Sequence, residues 1–180
     1  LLKCRLSLAV YREIETGMSK QSGFTLIELV VVIIVLGILS AAAAPKFINL
    51  SSDARISTLK GMKGAVSTAA LLSYSKTILL GLEKSSETDV QIGADTIRSV
   101  YGYPKAEFST TWSKLLDAEF GESGYDDRDA HEWMWRNVSN DGLYFMPRGY
   151  SQTAQNCWVR YAQATAAGGQ YQLSLKISGC

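Results

Sequence analysis

Residues 24–44 read Phe-Thr-Leu-Ile-Glu-Leu-Val-Val-Val-Ile-Ile-Val-Leu-Gly-Ile-Leu-Ser-Ala-Ala-Ala-Ala, an apolar run of 21 residues with one ionisable group, Glu28. About 20 such residues cross a bilayer core as a helix. An acid at the centre of a membrane helix costs roughly 2.5–3.5 kcal/mol on insertion scales, and less near its end. The run contains no counter-charge, so the sequence places the partner of Glu28 outside it. Lys20 precedes the run and Lys46 follows it. With Arg5 and Arg12, the basic residues favour a cytoplasmic N-terminus and put the rest of the chain across the membrane, where disulfides persist.

The rest has the composition of an ordinary soluble domain, and 180 residues hold one such domain plus an appendage. Eighteen basic against 17 acidic residues give a net charge of +1, which supports no case for nucleic acid. The three cysteines, Cys4, Cys157 and Cys180, are an odd set for an exported protein. The first methionine is Met18, and residues 1–17 lack periodicity. They read as upstream sequence or as a long leader. A start at Met18 removes Cys4 and leaves one pair.

An ordinary signal peptide is the simplest competitor. It would have Met18–Lys20 as its charged region, Val30–Leu39 as its apolar region and Ala41–Ala44 as its cleavage site. Glu28 sits badly in that scheme, and apolar residues resume at helical spacing beyond Pro45. Gly23-Phe24-Thr25-Leu26-Ile27-Glu28, behind a short basic leader and ahead of an apolar helix, resembles the processing site of type IV prepilins. The resemblance implies cleavage by a prepilin peptidase between Gly23 and Phe24, with methylation of the new Phe24 amine. It implies that Glu28, fifth in the mature chain, pairs with the Phe24 amine of a neighbouring subunit, or with its own amine one helical turn away. It also implies a proline at the twenty-second mature position, which is Pro45.

Beyond Ala44 the pattern becomes one-sided. Ile48, Ile56, Leu59, Met62, Val66, Ala70 and Tyr74 share one helical face, with Arg55 and Lys63 intruding. One helix is expected from Phe24 to about Lys76, kinked or locally opened at Pro45. Residues 77–140 read as loop-rich, with short helical pieces at Gly93–Val100 and Trp112–Phe120. Strands are expected at Gly142–Met146, Cys157–Thr165 and Gln170–Ser178. A two-residue turn at Gly168-Gly169 would pair positions whose numbers sum to 337, setting Cys157 opposite Cys180. That bond would close a 24-residue loop, and the resemblance implies a disulfide-bounded C-terminal region as well.

No catalytic constellation emerges. His131 is the only histidine and has no Cys or His at ligand spacing. Asp126, Asp127 and Asp129 lack the alternation of a calcium loop. Asn49 and Asn137 head three-residue glycosylation triplets too short to carry an argument. Trp112, Trp133, Trp135 and Trp158 fit a core better than a sugar platform.

The expectation is therefore an α+β pilin-type fold, a long N-terminal helix on an antiparallel sheet, and a non-enzymatic subunit without cofactor or metal. Its parts would be a leader (1–23, with the prepilin leader at 18–23), a transmembrane and filament-core helix (24–44), the amphipathic half of that helix (45–76), a loop region (77–140) and a disulfide-bounded sheet (141–180). Within the type IV pilins, Ala44–Leu50, Asp53–Ala65, Tyr101–Pro104 and Ser178–Cys180 are similar to the mannose-sensitive haemagglutinin pilins. That similarity implies attachment to mannosylated surfaces, haemagglutination and biofilm formation. The implied partners are further copies in a helical filament, a prepilin peptidase, an assembly ATPase with its platform protein, and an outer-membrane secretin. The chain would sit in the inner membrane with a periplasmic C-terminus before assembly. A type II secretion pseudopilin is the near alternative, and a secreted globular binding protein the distant one.

Overall fold

A computed structural model describes residues 23–124 and 130–180, without the side chains of residues 48 and 49. Residues 1–22 of the expected leader (1–23), with Cys4 and Lys20, and the aspartates at 126, 127 and 129 lie outside the described residues, as do the side chains at 48 and 49. Two compact units divide at Ala44/Pro45. One helix, α1 (Leu26–Leu79), runs from the first into the second. The opening expected at Pro45 is corrected: the helix continues through it. Proline lacks the N–H that would have bonded the carbonyl of Ala41 and crowds that carbonyl with its ring, yet the helix is unbroken there.

In the first unit α1 buries nothing of consequence. Leu26 is 80% exposed, and its apolar neighbours as far as Leu39 are exposed as well. This is the one helix among the described residues apolar enough over membrane length to cross a bilayer.

In the second unit the helix is amphipathic. Leu59, Met62, Val66, Ala69 and Ala70 are buried, a repeat of three and four residues that makes one stripe. They join a core with Trp112, Leu143, Phe145, Val159 and Tyr161. The stripe ends in polar form: the hydroxyls of Ser73 and Thr77 donate to the Gly102 carbonyl at 3.4 and 3.2 Å, so their burial leaves no unmet donor. Tyr74, half-buried, stacks on Tyr103 with centroids 4.6 Å apart.

The strands are β1 (Thr88–Ile92), β2 (Asp95–Val100), β3 (Tyr103–Pro104), β4 (Phe120–Glu122), β5 (Trp133–Val138), β6 (Gly142–Pro147), β7 (Trp158–Ala162) and β8 (Gln172–Lys176). They form sheets ordered β1-β2-β3 and β4-β5-β6-β7-β8. All pairings are antiparallel except β4 with β5, which is parallel. The fold is thus α+β, a long N-terminal helix whose second half packs on an antiparallel-rich sheet.

The main correction concerns the two helical pieces expected between residues 77 and 140. The helical piece expected over Gly93–Val100 is strand β2, paired with β1 around Gly93-Ala94. Gly93 adopts φ +62, the left-handed value that a two-residue hairpin with glycine at its first central position requires. The piece expected over Trp112–Phe120 is a helical turn, Phe108–Leu115, followed by β4. Trp112 is fully buried, its ring edge-on to Tyr161 at 4.5 Å and its indole N–H donating to Lys105 O at 3.0 Å. The Tyr161 phenol donates to Pro104 O at 2.6 Å, and burial pushes its pKa well above the usual tyrosine value.

The last hairpin also differs. Its pairs, Trp158 with Lys176 through Ala162 with Gln172, sum to 334 rather than 337. The loop, residues 163–171, is wider than two residues, and at its start Gln163 Oε1 accepts Ala106 N–H at 2.7 Å. The turn itself is closed by Gly169 N–H to Ala166 O at 3.0 Å, with Gly168 at φ +78.

Candidate functional site

The candidate site residues fall in both units. Gly23 and Phe24 are exposed immediately before α1, with Phe24 88% exposed. Glu28 lies in the first turn. Thr25 N–H donates to Glu28 Oε2 at 2.8 Å, and the Thr25 hydroxyl donates to the same oxygen at 2.7 Å. In return Glu28 N–H donates to Thr25 Oγ1 at 3.3 Å. This is the reciprocal capping box of the pattern Thr-x-x-Glu, and an acid there also complements the positive end of the helix.

The expectation that the apolar run holds no partner for Glu28 is therefore corrected. Thr25 supplies two hydrogen bonds, although it supplies no countercharge. Thr25 is the capping residue that charge and hydropathy do not reveal, and its signal is local: threonine three residues before glutamate at the start of an apolar run. The box involves neither Gly23 nor the Phe24 amine, so a cut between those two residues leaves it intact.

Phe24, Leu26, Ile27, Leu29 and the aliphatic side chains up to Leu39 are exposed. Exposed apolar area costs about 25 cal/mol per Å² relative to its burial, and a continuous apolar face of this extent marks a membrane or protein partner. The unit is built to be covered by something apolar.

In the second unit Cys157 and Cys180 form a disulfide, with Cα atoms 5.0 Å apart. They do not face each other across the ladder. Beyond Lys176 the chain leaves β8 and turns, with Cys180 N–H donating to Ile177 O at 3.2 Å and Gly179 N–H to Asn156 O at 3.1 Å. That turn carries Cys180 to Cys157.

A second anchor holds the same segment. Arg55 Nη1 donates to Cys180 O at 2.7 Å and to the Tyr150 hydroxyl at 3.2 Å, and Nη2 donates to Ser51 Oγ at 2.8 Å. Tyr150 in turn donates to Gly179 O at 3.1 Å. Arg55, which looked like an intruder on an apolar stripe, is the helix's tie to the disulfide-bonded segment. Pro45 lies exposed within α1.

Among the described residues no group of three or more His, Cys, Asp or Glu could hold a metal. Trp112 and Trp133 are core, Trp135 stacks on Phe108 at 4.6 Å, and Trp158 meets Tyr144 edge-on. Asn137, the head of one triplet, donates its Nδ2 to Ala106 O at 3.0 Å.

Residues 18–44 match the family model for the prokaryotic N-terminal methylation motif. The chain is 34% identical over 115 residues to the type IV major alpha-pilin of Moraxella bovis, covering 63% of this chain and 66% of that protein. It is 31% identical over 93 residues to the type IV major fimbrial protein FimA of Dichelobacter nodosus, covering 52% and 55%. It is also 42% identical over 50 residues to the type II secretion system core protein G of Pseudomonas aeruginosa, covering 28% and 35%. The chain spans about half to two thirds of the first curated relatives it matches. No solved structure matches it.

Proposed function

We propose that this chain is a structural subunit that polymerises through its N-terminal helix into a type IV pilus. The methylation motif and the pilin and pseudopilin relatives support a pilus or pseudopilus subunit. The observation that carries the reading is the exposed apolar helix opening on Glu28, directly after Gly23-Phe24. A prepilin peptidase cuts between Gly23 and Phe24 and the Phe24 amine is methylated. The subunit waits in the inner membrane with its C-terminal domain on the periplasmic side. The apolar helix then exchanges lipid for the helices of other copies.

In that exchange Glu28 meets the Phe24 amine of a neighbour. A carboxylate and an ammonium that are each costly alone in an apolar medium become tolerable together. The capping box supports this role, because Thr25 fixes Oε2 of the carboxylate before any partner arrives. An assembly ATPase with its platform protein would drive insertion, and an outer-membrane secretin would pass the fibre. The resemblance to mannose-sensitive haemagglutinin pilins extends the reading to surface attachment, haemagglutination, biofilm formation and contact with mannosylated surfaces.

A type II secretion pseudopilin is the second reading, favoured by the match to core protein G. The Cys157–Cys180 bond favours the pilus. Mass spectrometry of the mature N-terminus tests the first step. N-methylphenylalanine at residue 24 is expected; a start near Pro45 returns the chain to an ordinary signal peptide and a freely secreted domain. Surface-sheared material containing this chain, imaged by electron microscopy, separates a pilus from a periplasmic pseudopilus.

A further inference from the structure

The Cys157–Cys180 bond is made by thiol–disulfide exchange, in which one of the two sulfurs must first carry a mixed disulfide with the oxidant. The two are not equally open to it. Cys157 is 1% exposed within the core, whereas Cys180 is half-buried against it. Because Cys180 is itself part of that cover, the asymmetry lasts only while the 178–180 segment keeps its seat without the bond. Contacts that involve no sulfur provide the seat. Arg55 Nη1 donates to Cys180 O at 2.7 Å, the Tyr150 hydroxyl donates to Gly179 O at 3.1 Å, and Gly179 N–H donates to Asn156 O at 3.1 Å. The fit is so close that a Cβ on Gly179 would collide with the Gln155 carbonyl oxygen. A dithiol in this fold therefore stays in register, with Cys157 covered and Cys180 at the surface.

We infer that the bond closes on the folded second unit, with Cys180 as the sulfur that meets the oxidant and Cys157 as the sulfur that resolves it. The Cys180 thiolate attacks the disulfide of the oxidant, forms a Cys180 mixed disulfide and expels one thiolate. The Cys157 thiolate, its Cα 5.0 Å from that of Cys180, then attacks the Cys180 sulfur and expels the other. Two protein thiols are oxidised, one disulfide of the oxidant is reduced, and the two protons pass to the expelled thiolates. Reduction runs the same path backwards: an incoming thiolate attacks Cys180, and Cys157 leaves. The partner is a small-molecule or protein disulfide of an oxidising compartment, and it needs access to the 178–180 turn alone. Arg55 and Gly179 are positioning residues, which hold the mixed disulfide where Cys157 reaches it. The inference concerns the second unit only and does not depend on the filament reading.

The test uses the full chain in lauryldimethylamine oxide micelles, with Cys4→Ser throughout so that only the pair reacts. Glutathione disulfide is the probe, and adducts are located by acid quenching and peptide mass spectrometry. With Cys157→Ser added, Cys180 should take up glutathione about tenfold or more faster than Cys157 does with Cys180→Ser. Urea beyond the unfolding transition should bring the two rates together. With both cysteines present and tryptophan fluorescence native, Gly179→Ala should accumulate the Cys180 adduct, because its unseated segment is resolved slowly. Equal rates in the folded chain, faster reaction at Cys157, or reaction at either cysteine only after unfolding overturns the inference. An adduct in Gly179→Ala as short-lived as in the parent overturns it as well, since the seat would then have no part in closing the bond.

Discussion

The two halves of α1 are continuous in backbone and opposite in what they need. From Leu26 to Leu39 the apolar side chains are all exposed, because none has a partner within its own unit. From Leu59 to Thr77 one face is buried against a core that the same chain supplies, and even its hydroxyls find acceptors. Helical pattern explains the second half completely, since a stripe implies a single sheet to pack on. All-round apolarity implies a partner on every side. One half of the helix folds the subunit, and the other remains available to join subunits or lipid.

That contrast breaks first at Glu28. Glu28→Gln keeps a capping-box side chain but removes the charge, whereas Thr25→Ala removes the cap and keeps the charge. Glu28→Gln and Glu28→Val should be processed and methylated yet yield no filaments by electron microscopy. Thr25→Ala should still assemble, its helix start weakened by about 1 kcal/mol. Normal fibres from Glu28→Gln would reduce the acid to a helix cap.

Next come paired truncations in the two halves. Leu59→Ala, at a fully buried site, should cost the second unit about 2–5 kcal/mol, read from the urea midpoint of tryptophan fluorescence in micelles. Leu36→Ala, at a 55% exposed site, should leave that midpoint unchanged. All four tryptophans lie beyond residue 45, so the signal reports the second unit alone. Equal losses at both positions would abolish the distinction between the halves.

Cys180→Ser opens the 24-residue loop between Cys157 and Cys180 and should lower the stability read from the same titration by roughly 3 kcal/mol on the loop-entropy model. Arg55 and Tyr150 still tie the segment, so the native state should survive the change. Complete unfolding of Cys180→Ser would assign the bond a larger part than loop closure.

The smallest effect is alkaline. Burial, then the hydrogen bond to Asp141, raises the Tyr144 phenol to about 12, against about 10 for an unfolded tyrosine. A raised pKa favours the folded state while the group stays protonated in both states. This contribution is therefore whole below pH 10 and fades as pH rises towards 12. Tyr144→Phe should flatten that part of a stability-against-pH curve, and an unchanged slope would exclude Tyr144 as its source.

Much of this was legible in the residues, unevenly and for definite reasons. The amphipathic stripe through Leu59, Val66 and Ala70 is a local periodicity, and it is buried where expected. The strands near Gly142 and Trp158 were signalled by alternation and turns. Strand β2 was misjudged because Asp95–Val100 is short, and its pairing with β1 depends on the Gly93-Ala94 turn. The final hairpin teaches more. A plausible two-residue turn gave the right neighbours, Cys157 and Cys180, from the wrong register. In the true register Gln163 lies beyond the ladder and bonds Ala106, 57 residues distant, a contact that no window around the turn contains.

The order of residues alone determined which stretch would be apolar on all sides, where its single acid falls, and which helical face must be buried. These follow from the hydrophobic effect and helix geometry acting within a few turns. Tertiary structure alone decided the hairpin register, the tie from Arg55 to the Cys180 carbonyl and the meeting of the Asn137 and Gln163 amides at Ala106. Each depends on hydrogen bonds between groups far apart in the chain, whose meeting is set by packing rather than by spacing.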